Sequence, residues 1–142
     1  MILVALLTSG CASAVRGTPV ETTFQGSDRD LIDDYFQGLN DAASRGAPEQ
    51  RDFLNRTQHP DFPDRQCDLG ELTVWANPAM TTLRPDPRWS PQGAQRRPRG
   101  TVYVVAVSLS LRKDAARMVE QIASQRIVVL DGSAYSFSPC PA

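Results

Sequence analysis

The chain has 142 residues, 41 % of them hydrophobic and 22 % charged, with a formal net charge of -1. That is the size of one small domain with a single core, and the balance excludes a disordered chain and one that coats nucleic acid. Its basic residues are almost all arginine, Lys113 being the only lysine, and the chain is rich in Ala, Arg, Asp and Pro, a bias that resembles GC-rich coding.

Residues 1–7 (MILVALL) form an unbroken apolar run, followed by Thr8-Ser9-Gly10-Cys11 and the small residues Ala12-Ser13-Ala14. The run is far shorter than the ~20 apolar residues of a membrane-spanning helix, and it matches the apolar core of an export signal. Small residues directly before a cysteine resemble the bacterial lipobox. The resemblance implies that residues 1–10 are a signal peptide and that Cys11 carries lipid, palmitate among its acyl chains. The mature protein would then be lipid-anchored at the extracytoplasmic face of the cell membrane. Two features depart from the lipobox pattern: Thr8 stands where leucine is usual, with Leu7 one place further out, and no basic residue precedes the apolar run. The second departure allows a start codon further upstream. A buried first strand or helix with an incidental Cys11 is the alternative.

Three cysteines in an exported chain leave an odd one. With Cys11 lipidated, Cys67 and Cys140 remain as an even pair. An oxidising compartment would join them and staple the C-terminus to the start of the β-rich half. Closing a loop of about seventy residues stabilises a fold by roughly 4 kcal/mol in the chain-entropy picture. Two free buried thiols are the alternative. Zinc is poorly served, because the cysteines lie far apart and His59 is the only histidine.

Residues 11–26, after the anchor, have small and polar side chains, Gly17, Pro19 and no sustained period, and read as a flexible tether. The Gly-Thr-Pro-Val string within them resembles the stretch that follows the lipidated cysteine in many mycobacterial lipoproteins. Residues 27–142 are then one domain.

Ser27 and the acidic Asp28 and Asp30 open a helix, capping and charge both favouring its first turn. Ile32, Tyr35, Phe36, Leu39 and Ala43 form one apolar stripe at three- and four-residue steps, and the helix should end near Ser44, before Gly46. Pro48 starts a second, shorter helix with Phe53, Leu54 and Thr57 inward. Pro60 and Pro63 end it.

From Glu71 the period becomes two. Leu72-Thr73-Val74-Trp75 reads as a short strand interrupted by Asn77-Pro78, with an edge strand over residues 80–84. Residues 85–100 hold four prolines and two glycines and read as a long loop. Residues 101–112 (TVYVVAVSLSLR) are the clearest strand, with Tyr103, Val105, Val107, Leu109 and Leu111 as its core face. Residues 118–130 are ambiguous, since residues 115–122 tolerate helix while residues 126–130 are β-like. Asp131-Gly132 is a hairpin turn, and residues 134–137 are the returning strand.

Helices first and hairpin-linked strands after them give an α+β domain, with the N-terminal helices packed on a bent antiparallel sheet. That order resembles the nuclear transport factor 2-like family, also called cystatin-like, in which a bent sheet wraps a long N-terminal helix into a cone. More narrowly, Asn77-Pro78, Trp89-Ser90-Pro91, Gly100-Thr101-Val102-Tyr103, Asp131-Gly132 and Pro139-Cys140-Pro141 resemble small actinobacterial and mycobacterial lipoproteins of unassigned function. The resemblance implies a pocket between helix and sheet. Some members of the family run acid/base chemistry there and others bind ligands or partners. Tyr35, Phe36, Trp75, Trp89 and Tyr103 are the candidate residues near its mouth, with ordinary core packing as the alternative.

His59 with Asp61 and Asp64 is the only acid/base cluster, and turn chemistry explains it without catalysis. Asp28, Asp30, Asp33 and Asp34 read as a solvated helix start rather than a metal site. Arg96-Arg97-Pro98-Arg99, with Arg84 and Arg88, is a basic run that would touch anionic head groups, an acidic partner or only solvent. Asn55-Arg56-Thr57 fits a glycosylation sequon but lies in a helix of a bacterial-type chain. The sequence therefore points to a lipid-anchored cell-envelope binding or interaction module, without catalytic residues, metal or cofactor. Its partners would be the membrane and a small apolar ligand or an envelope protein, and not nucleic acid. The alternative is a pocket enzyme of the ketosteroid-isomerase-like or hydratase-like branch, with His59 or a carboxylate as base.

Overall fold

The computed structural model describes residues 26–65, 68–114 and 116–137. The export signal, Cys11, the tether and the Cys67–Cys140 pair lie outside those residues. Two helices, α1 (Gly26–Arg45) and α2 (Ala47–Thr57), precede the strands β1 (Leu72–Pro78), β2 (Arg84–Pro85), β3 (Thr101–Lys113), β4 (Ala116–Leu130) and β5 (Ser133–Ser136). The strands form one curled antiparallel sheet in the order β1-β3-β4-β5, with β2 also beside β3. The fold is α+β, its N-terminal helices packed on a bent antiparallel sheet.

The α1 stripe is buried as its spacing requires: Ile32, Tyr35, Phe36, Leu39, Ala42 and Ala43 are all inside. Ile32, Tyr35, Phe36 and Leu39 share one core with Val74 and Ala76 of β1, Tyr103, Val105, Val107 and Leu109 of β3, and Ile127 of β4. Phe53 and Leu54 of α2 pack against the margin of this core. Removing such apolar area from water is the main driving term for folding.

The period-two pattern of β3 identifies its core face, yet Val102 and Val104, on the opposite face, are buried too. Loop residues 86–100 lie close over that end of the outer face. Gly100 (φ 95°) runs so close to β4 that a Cβ there would stand 2.5 Å from the Val129 carbonyl oxygen and 2.7 Å from Val128.

Two elements differ from the sequence reading, and one that it left ambiguous is settled. Residues 80–84 are not an edge strand; a 3-10 turn (Met80–Thr82) precedes the two-residue β2. Asn77-Pro78 does not interrupt β1, which runs through to Pro78 opposite Val107. Thr73, Trp75 and Asn77 face β3, so the Pro78 nitrogen points away from the ladder and no sheet hydrogen bond is lost. Residues 116–122 are strand, because pairing with β3 along their whole length overrides a local tolerance for helix.

The outer edge of β1 is covered by two side-chain amides. Gln50 donates to the Val74 carbonyl (2.6 Å) and accepts from the Val74 N–H (2.8 Å). Asn40 does the same at Ala76, with both contacts at 2.9 Å. Gln50 also donates to the Leu39 carbonyl (3.1 Å), which ties α1, α2 and β1 at one point. Each amide reproduces what a neighbouring strand would offer, and buried backbone groups require such partners.

Gln50→Leu strands the buried N–H and carbonyl of Val74 together and should cost about 3 kcal/mol of stability, read from urea unfolding. Gln37→Leu, on the exposed face of α1, should change it by less than about 0.5 kcal/mol.

Candidate functional site

The histidine singled out by sequence closes a clasp between three segments. Gln58 follows α2 in extended backbone and bridges Ser136, and the His59 N–H donates to the Ser136 carbonyl (3.0 Å). The His59 side chain is fully buried. Its Nε2 lies 2.9 Å from the Arg99 carbonyl, and its Nδ1 accepts the Asp61 N–H (3.1 Å). Those partners assign the tautomer with the proton on Nε2. Phe137 stacks on the ring (5.3 Å, 12°), and Phe62 and Tyr135 flank it at 5.7 and 5.9 Å.

Asp61 belongs to the same clasp. Its carboxylate accepts two hydrogen bonds from the Arg99 guanidinium (2.9 and 3.0 Å) and one from the Arg99 backbone N–H (3.1 Å). Those bonds hold its pKa down at about 2. A general base needs a lone pair directed at a substrate. In His59 that lone pair is spent on the Asp61 N–H. Asp64 has no part in this network of contacts. Arg99 was not linked to His59 in the sequence, since nothing local connects positions so far apart.

The five aromatics proposed for a pocket mouth divide between the two faces of the sheet. Tyr35 and Phe36 lie in the core, edge to face at 5.3 Å. Tyr103 also faces the helices, and its hydroxyl donates to Asp28 at the start of α1 (2.6 Å). Burial, reinforced by that carboxylate, pushes the Tyr103 phenol up to about 12, so it remains a donor. Trp75 is on the other face beneath the Arg112 guanidinium (4.5 Å). Trp89 meets Phe137 edge to face (4.8 Å), with Arg126 at 5.6 Å. Trp89, Pro85, Pro87, Pro98 and Arg97 line a cleft of about 280 Å³ above Gly100 and Val102. That is just below the ~300–1,000 Å³ of small-molecule sites.

The arginine run is dispersed in the same way. Arg99 holds Asp61, and Arg97 donates to the Pro87 carbonyl (3.2 Å). Among the described residues, no cluster of three or more metal-ligating side chains forms, and no helix is long and apolar enough to cross a membrane.

The sequence reading left the first half of β4 ambiguous between helix and strand. β5 pairs with β4 only from Ile127 to Leu130, so among the described residues the same edge has no strand partner from residue 116 to residue 125. The two-residue Asp131-Gly132 turn makes Leu130 and Ser133 a hydrogen-bonded pair. Alternation from Leu130 then turns the N–H and C=O of Ser124, Ile122 and Glu120 outward along this edge. Ile122 is 86 % exposed, Met118 61 % and Val119 49 %, and among the described residues these are the large hydrophobic side chains left in solvent. The sequence carries no period-two signal for this half of β4, since Met118-Val119-Glu120-Gln121-Ile122-Ala123-Ser124-Gln125 runs in apolar and polar pairs that suit a helix as well as a strand.

Comparison with known proteins adds no name: no family model, no curated protein and no solved structure matches the chain.

His59→Ala removes partners from two backbone groups together with a buried ring, and should cost about 3 kcal/mol. The Asp61 pair obeys a definite pH rule. Its carboxyl is depressed in the folded state, so its contribution is complete above the ordinary carboxylate range near 4 and is lost as pH falls toward about 2. The stability gap between wild type and Asp61→Asn should therefore be constant at neutral pH and close between roughly pH 4 and 2, measured by urea unfolding across that range.

Proposed function

We propose that this chain is a binding module of the cell envelope, held at the membrane by lipid on Cys11, which works by contact through its β4 arm rather than by chemistry. One observation carries the reading: exposed Ile122, Met118 and Val119 coincide with strand backbone that has no described partner. Soluble domains rarely leave apolar side chains and open strand edges together, and where they do the surface commonly receives a partner. His59 supports the same reading, since both its ring nitrogens are engaged within the fold.

The element order supports placing the domain with the nuclear transport factor 2-like folds. A Cys67–Cys140 disulfide is supported by the chain on either side of it. Phe62 and Phe137 are 5.6 Å apart between ring centroids. Cys67 follows Phe62 by five residues and Cys140 follows Phe137 by three. At about 3.3–3.6 Å per residue, the two segments reach one another.

Native mass spectrometry of the full chain, extracted from its membranes in mild detergent without reductant, tests the reading. The expected species carries acyl chains on Cys11, is lighter by one pair of hydrogen atoms at Cys67 and Cys140, and holds a protein partner. The double variant Met118→Lys/Ile122→Lys should keep the covalent mass and lose the partner. Wild type and variant both extracting as the bare chain would refute the interaction reading. An unacylated chain beginning at Met1 would refute the anchor.

A further inference from the structure

The two edges of the sheet are treated in opposite ways. On β1, Asn40 and Gln50 occupy the outward backbone groups of Ala76 and Val74. On β4, Glu120, Ile122 and Ser124 present theirs with no described partner. We infer that the β4 edge pairs with the β4 edge of a second copy, antiparallel, about a two-fold axis at Ile122. This rests on the interaction reading above and names the partner.

Three observations select a second copy. The register is self-complementary. Only residues whose backbone points outward can form hydrogen-bonded pairs across a new edge, and an axis at Ile122 sets Ile122 against itself and Glu120 against Ser124 of the second copy. The most exposed large hydrophobic side chain of the described structure is thereby buried against its own counterpart, while a serine hydroxyl meets a carboxylate. Charge fits as well. Glu120 lies diagonal to Arg126 of the second copy on the same sheet face, within reach of long side chains. Arg117, Glu120 and Arg126 give the edge both signs, so no uniform field opposes association.

The chain's own C-terminus is a poor occupant. The Ser136 carbonyl points away from β4, toward His59. A continued β5 would therefore turn the nitrogens of residues 137, 139 and 141 toward β4, and Pro139 and Pro141 have no N–H to give. Those two prolines disfavour an extension of the β5 ladder along the open edge.

Analytical ultracentrifugation of the full chain in mild detergent, combined with disulfide trapping, tests the pairing. The wild type should sediment as a dimer. Ile122→Lys buries no apolar side chain at the axis and Ser124→Pro removes an edge N–H. Each should weaken self-association by roughly a hundredfold while leaving far-UV circular dichroism unchanged. Ile122→Cys should give a disulfide-linked dimer on non-reducing gels, because hydrogen-bonded antiparallel pairs hold their Cα atoms about 5.5 Å apart, within disulfide range. Asn77→Cys, an exposed position on β1, should not. A monomeric wild type whose Ile122→Cys variant links to a polypeptide of different mass in membranes would overturn self-pairing and leave the interaction reading standing. A monomer in which the Ile122→Cys variant links to nothing would overturn both.

Discussion

Everything in this small sheet depends on what meets its first strand. β1 enters the fold as an edge, and its outward N–H and C=O groups at Val74 and Ala76 lie beneath the helices, where water cannot serve them. The Asn40 and Gln50 amides take the place of the missing strand, each making both hydrogen bonds of one residue. Their reach fixes the distance and rotation of α1 and α2 over the sheet. Ile32, Tyr35, Phe36 and Leu39 can then close on Val105, Val107 and Leu109 without stranding polar backbone. The core supplies the driving force, and the amides supply the geometry in which the force can be used.

A second closure acts at the other end of the sheet. His59, Asp61 and Arg99 join the end of α2, the long proline-rich loop and β5 through backbone hydrogen bonds and one charged pair. Phe62, Trp89, Tyr135 and Phe137 gather around the imidazole. Residue types that are often catalytic are here occupied with chain closure. With one edge sealed and one end clasped, the β3–β4 arm is where the described structure leaves both backbone and apolar side chains to solvent. The interaction reading follows from that asymmetry.

The sequence showed the parts whose signal is local. The three- and four-residue steps from Ile32 to Ala43 exposed α1, and alternation through Tyr103 to Leu111 exposed the core face of β3. Asp131-Gly132, with positive φ at both residues, marked the last hairpin. Contacts between distant segments were not legible: nothing near His59 announces Arg99, and nothing near Trp75 announces Arg112. Gln50 did leave a trace, as a polar residue in line with Ala47, Leu54 and Thr57 on the inner side of α2. The composition of residues 115–122 favours helix and strand about equally, so pairing with β3 decided the matter and the open edge stayed hidden. The five candidate aromatics look alike in sequence, but strand alternation sends Tyr103 and Trp75 to opposite faces.

The account is tested most directly by hydrogen–deuterium exchange of individual amides in the full chain as its concentration is raised. Val74 and Ala76 should exchange slowly at every concentration, because their partners are within the same chain. Glu120, Ile122 and Ser124 should exchange quickly when the chain is dilute and become protected as copies meet. Protection at those three amides that is already complete in the dilute chain, or that fails to appear at any concentration, would contradict an edge left open for a second copy.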